Sequence, residues 1–337
     1  AEMRIGKITQ TAWQRYVRKQ LHTETDDAMS GASPWESCSF LENGCLRADA
    51  HASGDDGRAG YYAVYHAAGE LAARNVQPRS VSVRVLFPPG SSDEMLSETA
   101  AGADCACRET GARITAFQGE VTGAVAHTVV FACAAGIMED NKGHGEADQA
   151  GRSGKKIPLH REIVQCGYAG LEGTLRILDA AQPELETRFV STFIEQAKTL
   201  TNAMVRPDQI LKVYRSDKEA VVRQIGSGGI LASLWELAET VRTGFEIEMP
   251  QINLKQETVE ICEFYRLNPY LMTSAGSYLI LTSQAESVIR ALEEAGAPAV
   301  RLGEARDQNA RVIRNGEEIR YLDRPAPDEL ERWRTEH

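Results

Sequence analysis

The segment that most constrains the fold is Gln165-Cys166-Gly167-Tyr168-Ala169-Gly170-Leu171-Glu172-Gly173-Thr174. It follows the strand-like Ile163–Cys166 and opens a helix, a joint typical of layered α/β architectures. Glycines let a backbone approach a ligand closely, and the free amides at a helix start favour phosphate. The segment lacks the Gly-Lys-Ser/Thr ending of a P-loop, and its glycines fall every third residue, unlike the dinucleotide fingerprint. A tight strand-to-helix turn accounts for it equally well. A second cluster, Gly226-Ser227-Gly228-Gly229, stands directly before an apolar-periodic stretch, Leu231–Val241. The same physics makes it either an anion site or a flexible turn.

The remaining pattern predicts two units. In the first, residues 7–21 carry helical spacing and Cys45–His51 reads as a short strand. Residues 61–73 form a helix with Tyr61, Val64, Tyr65, Ala68 and Leu71 on one face. Val81, Val83 and Val85 alternate in a strand over Ser80–Phe87, stopped by Pro88-Pro89-Gly90. Ser91 with Glu94 reads as a capping box opening a helix that Gly111 ends. Strands follow near Arg113–Phe117 and His127–Ala135. The charged, glycine-rich stretch 139–156 reads as a linker. It divides residues 1–138 from a second unit at 157–327, with a tail at 328–337. In the second unit, helices are expected at 184–204, 231–241 and 258–265, and a strand at 277–282. A second capping box is read at Ser283/Glu286, and Asn315-Gly316 as a hairpin turn.

The formal net charge of −11 argues against a broad nucleic-acid or membrane surface, either of which needs a basic face. Neither a membrane-spanning run nor a signal-peptide core is present, so a cytoplasmic protein is expected. The seven cysteines are irregularly spaced and form no CxxC pair, which predicts reduced thiols rather than a structural zinc site. No Ser/His/Asp or Cys/His spacing supports a nucleophilic hydrolase. The acids that stand out near the first unit's elements are Glu36, Asp49, Asp55, Asp56, Glu70 and Glu120. Asp49 sits on a strand and Glu120 between Gly119 and Val121, which makes these two the less ordinary candidates for a metal near phosphate oxygens.

On these residues the chain resembles the aminoimidazole ribonucleotide (AIR) synthetase superfamily, in particular its hydrogenase-maturation-factor-like branch. The likeness runs from Met3-Arg4-Ile5-Gly6-Lys7 to about Pro327 and is most specific at Gly167–Thr174. Gly228-Gly229-Ile230-Leu231, Leu234–Glu239 and Ser274-Ala275-Gly276-Ser277 add to it. The resemblance implies a two-domain α/β (α+β) fold and a homodimer in which the N-terminal sheets join into a barrel. It also implies ATP in a cleft between the domains, with magnesium held by N-terminal acids. The metal and nucleotide candidates it gives are Glu36, Asp49, Glu70 and Glu120. The phosphate or substrate loops are Gly167, Tyr168, Gly170, Glu172, Gly173 and Thr174, and Gly226 to Gly229.

Departures from the family pattern bear on activity. One acid of the N-terminal motif is Ser37, and the family's Asn-Asp pair is Gly69-Glu70. The family's Asp-Val-Thr-Glu-Gly-Gly becomes Gln224-Ile225-Gly226-Ser227-Gly228-Gly229, without either acid. Magnesium prefers charged oxygen ligands in tight octahedral geometry, so fewer carboxylates weaken metal binding and phosphoryl transfer together. The hydrogenase-maturation dehydratases carry a C-terminal cysteine that receives a carbamoyl group. Here the sequence ends Trp333–His337 and its last cysteine is Cys262, so that reaction is not expected. The expectation is a dimeric nucleotide- or metabolite-binding protein with a degenerate ATP–magnesium site and little or no catalysis, and a protein partner is also open. The alternatives are a divergent ATP-dependent enzyme that phosphorylates an amide-like or carboxyl oxygen, and a folded dimer with no small-molecule site.

Overall fold

The computed structural model describes residues 5–22, 33–138 and 161–337. The expected linker at 139–156 and the first residues of the family likeness lie outside them. The first unit carries strands β1 (Cys38–Phe40), β2 (Cys45–Ser53), β3 (Ser80–Phe87), β4 (Arg113–Val121) and β5 (Val129–Ile137), with helices α1 (Ala59–Ala72) and α2 (Asp93–Thr110). The sheet order is β1-β2-β5-β3-β4, antiparallel except for the β3–β4 pair. Alternation divides its faces. Leu46, Ala48, Val81, Val83, Val85, Val130, Ala132 and Ala134 pack on α1 and α2, while Arg47, Asp49, His51 and Phe131 face outward.

The second unit is a seven-stranded sheet. Its strands are β6 (Glu162–Cys166), β7 (Val221–Gln224), β8 (Gly244–Glu248), β9 (Tyr278–Thr282), β10 (Ala299–Arg306), β11 (Arg311–Asn315) and β12 (Glu318–Tyr321), in the order β12-β11-β8-β10-β6-β9-β7. Only β8 and β11 run parallel. Helices α3 (Leu171–Leu185), α4 (Ser191–Lys198), α5 (Gly229–Val241), α6 (Gln256–Phe264), α7 (Ala285–Glu294) and α8 (Glu329–Glu336) accompany it. All five residues of β9 are buried, as a strand covered on both faces requires. No helix among the described residues is long and apolar enough to cross a membrane.

Helix α1 lies at the seam between the units. Its one apolar face, expected from the spacing, proves to be burial almost all round, because α1 packs on the first sheet and on the second unit at once. Leu171, Leu175, Leu200, Met204 and Ala275 join the first unit's core, and Ala72 and Ala73 join Val164, Cys166, Val222 and Tyr278 in the second's. Each fully buried leucine there contributes about 1.5–3 kcal/mol relative to exposure. The seam is therefore a continuous core.

Several local expectations shift. The N-cap of α2 is Ser92, whose extended backbone lets its hydroxyl accept from the Met95 amide, while Ser91 bonds back to the Pro88 carbonyl. Ser283 does not cap α7, since its hydroxyl and amide both turn to Asp217 Oδ2 and Gln284 takes the N-cap position. The expected helix 184–204 is broken: α3 ends at Leu185, Val190 is extended, and Phe189 stacks on Phe193 at 4.5 Å across the turn. The hairpin forms with Asn315 paired to Glu318, so the connecting residues are Gly316 and Glu317, one position later than expected. The segment 328–337, set apart as a tail, contains α8, whose Leu330 and Trp333 bury beside Leu178, Ile261, Tyr265 and Met272.

Close approach at the seam depends on Gly69 of α1. A Cβ there would lie 2.8 Å from the Tyr278 hydroxyl and closer still to the Gln224 amide group. Gly69→Ala is expected to destabilise the fold by about 1–3 kcal/mol through overpacking, read as a lower urea midpoint with an unchanged m-value.

Candidate functional site

The two glycine loops face each other across the Ser274–Ser277 turn. In the first, Gly170 takes the left-handed conformation (φ +71) that starts α3. The loop amides are largely committed: Gly167 to the Pro298 carbonyl, Tyr168 to Ser277 Oγ, Ala169 to the Asn253 carbonyl, Leu171 to Ser274 Oγ and Gly173 to the Thr273 carbonyl. Gly173 lies against Met272 with no room for a side chain, and the Thr174 hydroxyl bonds Gly170 and Thr258. These glycines thus serve close packing. The second loop is more open. Nothing lies within 4 Å of where a Gly226 side chain would point, and Ser227 is exposed. The Gly228 amide is held at 2.7 Å by Asp328 Oδ2, whose other oxygen accepts from the Leu330 amide at 2.9 Å. Burial pushes the Asp328 carboxyl up to about 7 against those two amide bonds.

Within the first loop, in the first turn of α3, sits Glu172, 2% exposed. Its Oε2 lies 2.7 Å from His66 Nε2 of α1 and accepts from Thr273 Oγ1 at 2.9 Å and the Ala275 amide at 3.1 Å. Arg176, one turn along α3, stands 3.5 Å from Oε1 and also donates to the Ser53 carbonyl at the end of β2. Burial alone would raise the Glu172 carboxyl, but the His66 charge and hydrogen bond, then Arg176, outweigh it and hold the carboxyl well below the usual range. His66 feels the converse: burial lowers it, and the Glu172 carboxylate more than compensates, raising it above the ordinary value.

The acidic candidates separate into two groups. Glu36 and Glu70 come together. Glu36 is held by Arg74 through two contacts of 3.1 Å, and Glu70 accepts from Ser37 Oγ at 2.7 Å and Gln224 Nε2 at 3.2 Å. Gln224 also donates to the His66 carbonyl at 2.9 Å, so this group adjoins the Glu172 cluster. Asp49 and Glu120, expected to share a metal, are not brought together. They stand on β2 and β4, with β5 and β3 between them. Three strand spacings amount to about 14 Å, and Glu120 is offset along its strand as well. Asp49 instead pairs with Arg47 at 3.0 Å on the outer face, and Glu120 is exposed. Among the described residues, no group of three or more His, Cys, Asp or Glu is placed to hold a metal ion.

Sequence reasoning named Glu172 but not its partners. Nothing in the local sequence pairs His66 or Arg223 with an acid, and Arg74, Arg176, Asp328 and Arg334 carry no local signal. Arg223 belongs to a further buried pair, at 2.7 Å from Glu236 Oε2, with Lys7 at 2.6 Å from Oε1. Arg334 of α8 donates to the Ser53 carbonyl and, at 3.2 Å, to Ser53 Oγ.

Opposite titrations should give the Glu172–His66 pair a stability window. Glu172's lowered value supports the fold above its ordinary 4.5 and loses that support as pH falls toward the folded value. His66's raised value supports it below 6.5 and is lost as pH rises through the folded value. Glu172→Gln leaves Arg176 and protonated His66 buried without their anion, and is expected to cost about 3–5 kcal/mol at neutral pH. Urea denaturation across pH should show this variant losing the acid limb.

Comparison with known proteins extends this picture. Residues 193–314 match the family described as AIR synthase related protein, C-terminal domain. The chain is 24% identical over 251 residues to the carbamoyl dehydratase HypE of Rhizobium leguminosarum bv. viciae, an alignment covering 73% of this chain and 68% of that protein. Its fold superposes on a chain of the crystal structure of a HypE–HypF complex with a TM-score of 0.72, at 17% identity over 93% of this chain and 99% of that one. It also superposes on the hydrogenase maturation protein HypE in complex with ATP, with a TM-score of 0.64 at 15% identity over 94% and 93%. Residues 193–314 are thus similar to the AIR synthase-related C-terminal domain, and the chain as a whole is similar to HypE proteins in sequence and in fold.

Proposed function

We propose that this protein is a dimeric nucleotide- or metabolite-binding member of its superfamily whose magnesium-dependent phosphoryl-transfer site is degenerate. One observation carries the reading: the two candidate acids that the fold does unite, Glu36 and Glu70, are already engaged by Arg74, Ser37 and Gln224. Arg74 is 7% exposed, so a magnesium ion taking Glu36 would part a buried guanidinium from the carboxylate that answers its charge. Gln224 supplies an amide where a carboxylate would be needed to complete a hard-oxygen ligand set. A HypE has been crystallised with ATP, which supports nucleotide as the ligand class, and a HypE–HypF complex supports a protein partner as a further expectation. The open space at Gly226 favours the alternative reading, a divergent ATP-dependent enzyme, to the extent that a phosphate can still approach that loop.

Calorimetric titration with ATP and ADP, with and without magnesium, separates the two. The degenerate-site reading expects binding that magnesium strengthens by less than about tenfold, or about 1.4 kcal/mol, and no ATP hydrolysis. Magnesium-dependent hydrolysis establishes the divergent enzyme instead, and no binding of either nucleotide removes both readings.

The outer face of the first sheet supports the dimer. Phe131 is 44% and Ile137 56% exposed on β5, whose alternate residues Val130, Ala132 and Ala134 are core. Large apolar side chains left exposed on the face turned away from the core favour an interaction site. Sedimentation equilibrium should show a dimer for the wild-type protein and a folded monomer for Phe131→Glu.

A further inference from the structure

A cavity of about 1480 Å³ lies between the segment 5–17 and α5, closed by residues 324–328. Of the candidate site residues only Ser227 lines it. The cavity is therefore a place separate from the Glu36–Glu70 group and the Glu172 cluster. Its covering segment is anchored: Lys7 is tied to the buried Glu236 at 2.6 Å, and a Cβ at Gly6 would meet Pro327 at 3.4 Å.

The wall has two chemical characters. One is aromatic. Trp35 and Trp235 line it, and the Arg311 guanidinium sits 3.6 Å from the Trp235 ring centroid, forming a flat, polarisable surface. The other is cationic. Among the described residues the lining holds Lys7, Arg242, Arg311 and Arg324 beside two carboxylates, Glu239 and Asp328, with Lys7 also tied to the buried Glu236 behind the wall. Glu239 is engaged by Arg311, and Asp328 by the Gly228 and Leu330 amides. A concave site with an aromatic wall and a local excess of cations selects a flat, anionic molecule. The volume exceeds the 300–1,000 Å³ or so usual for small-ligand sites, so a nucleotide-sized molecule fits.

We propose that this cavity binds an organic phosphate bearing a flat heteroaromatic ring, with the ring against Trp235 and the phosphate toward Ser227 and Arg324. The inference deepens the nucleotide- or metabolite-binding reading by giving the ligand a place and a class. It differs from that reading in needing none of the acids near Gln224.

The probe is AMP, with adenosine as the ring without charge and ribose 5-phosphate as the charge without ring. The variants are Arg324→Glu and Ser227→Trp, both at exposed positions, with melting temperature as the check on folding. The expected result is saturable AMP binding by calorimetry, at least about tenfold weaker binding of each half-ligand, and a loss of about tenfold or more in both variants. If AMP binds and Arg324→Glu leaves its affinity unchanged, the cavity is not the site, whatever Ser227→Trp does. The broader binding reading then stands at another location. If the wild-type protein binds ATP but neither AMP nor ribose 5-phosphate, the proposed ligand class is overturned while nucleotide binding survives. If nothing binds, both fall.

Discussion

A single buried carboxylate holds this molecule's two halves in register. Glu172 starts α3 of the second unit, yet its shortest contact is to His66 of α1 in the first, and the same oxygen accepts from the 273–275 turn. Arg176 extends the network to the end of β2. An ion removed from water is costly unless partners surround it, and here partners from three separate segments do. The apolar contacts around α1 supply most of the adhesion at the seam, and they are indifferent to small slips. The Glu172 network is not, because its hydrogen bonds require one particular alignment of α1 against α3.

The same use of internal counter-charges recurs along the seam. Arg74 answers Glu36, Gln224 and Ser37 answer Glu70, and Lys7 and Arg223 answer Glu236. Of these, the Lys7–Glu236 and Gln224–Glu70 contacts link segments 229 and 154 residues apart. Where the superfamily resemblance leads one to expect acids facing a metal, this chain has acids facing its own cations and amides. The acids of the seam are thereby answered from within, and a cavity of about 1480 Å³ lies beside α5.

What the sequence made legible was local. The alternation of Val81, Val83 and Val85 marks β3 at its true limits, and Gly111 ends α2 in the left-handed conformation. Glycine spacing located the start of α3 and singled out Glu172. What depended on strand order was not legible. Asp49 and Glu120 have the right chemistry for a metal, but no local pattern reveals that β5 and β3 lie between their strands. The Glu172–His66 contact spans 106 residues and exists only because two independently formed layers meet. Neighbouring serines posed a finer ambiguity at α2. Ser91 and Ser92 both precede acids, and only the extended backbone at Ser92 decides which one caps.

The docking of α8 has a consequence for biosynthesis. Arg334 reaches back 281 residues to Ser53, and Lys7 reaches forward 229 to Glu236. Contacts of such separation form late, because the intervening chain must first be ordered. During vectorial synthesis the first sheet and α1 emerge well before the residues that neutralise and cover their seam. Until residue 334 has left the ribosome, Ser53 lacks its Arg334 contact. The apolar surface of α1 waits for a different and earlier arrival, the residues between 164 and 278 that cover it, so the two ends of the seam close at separate moments of synthesis.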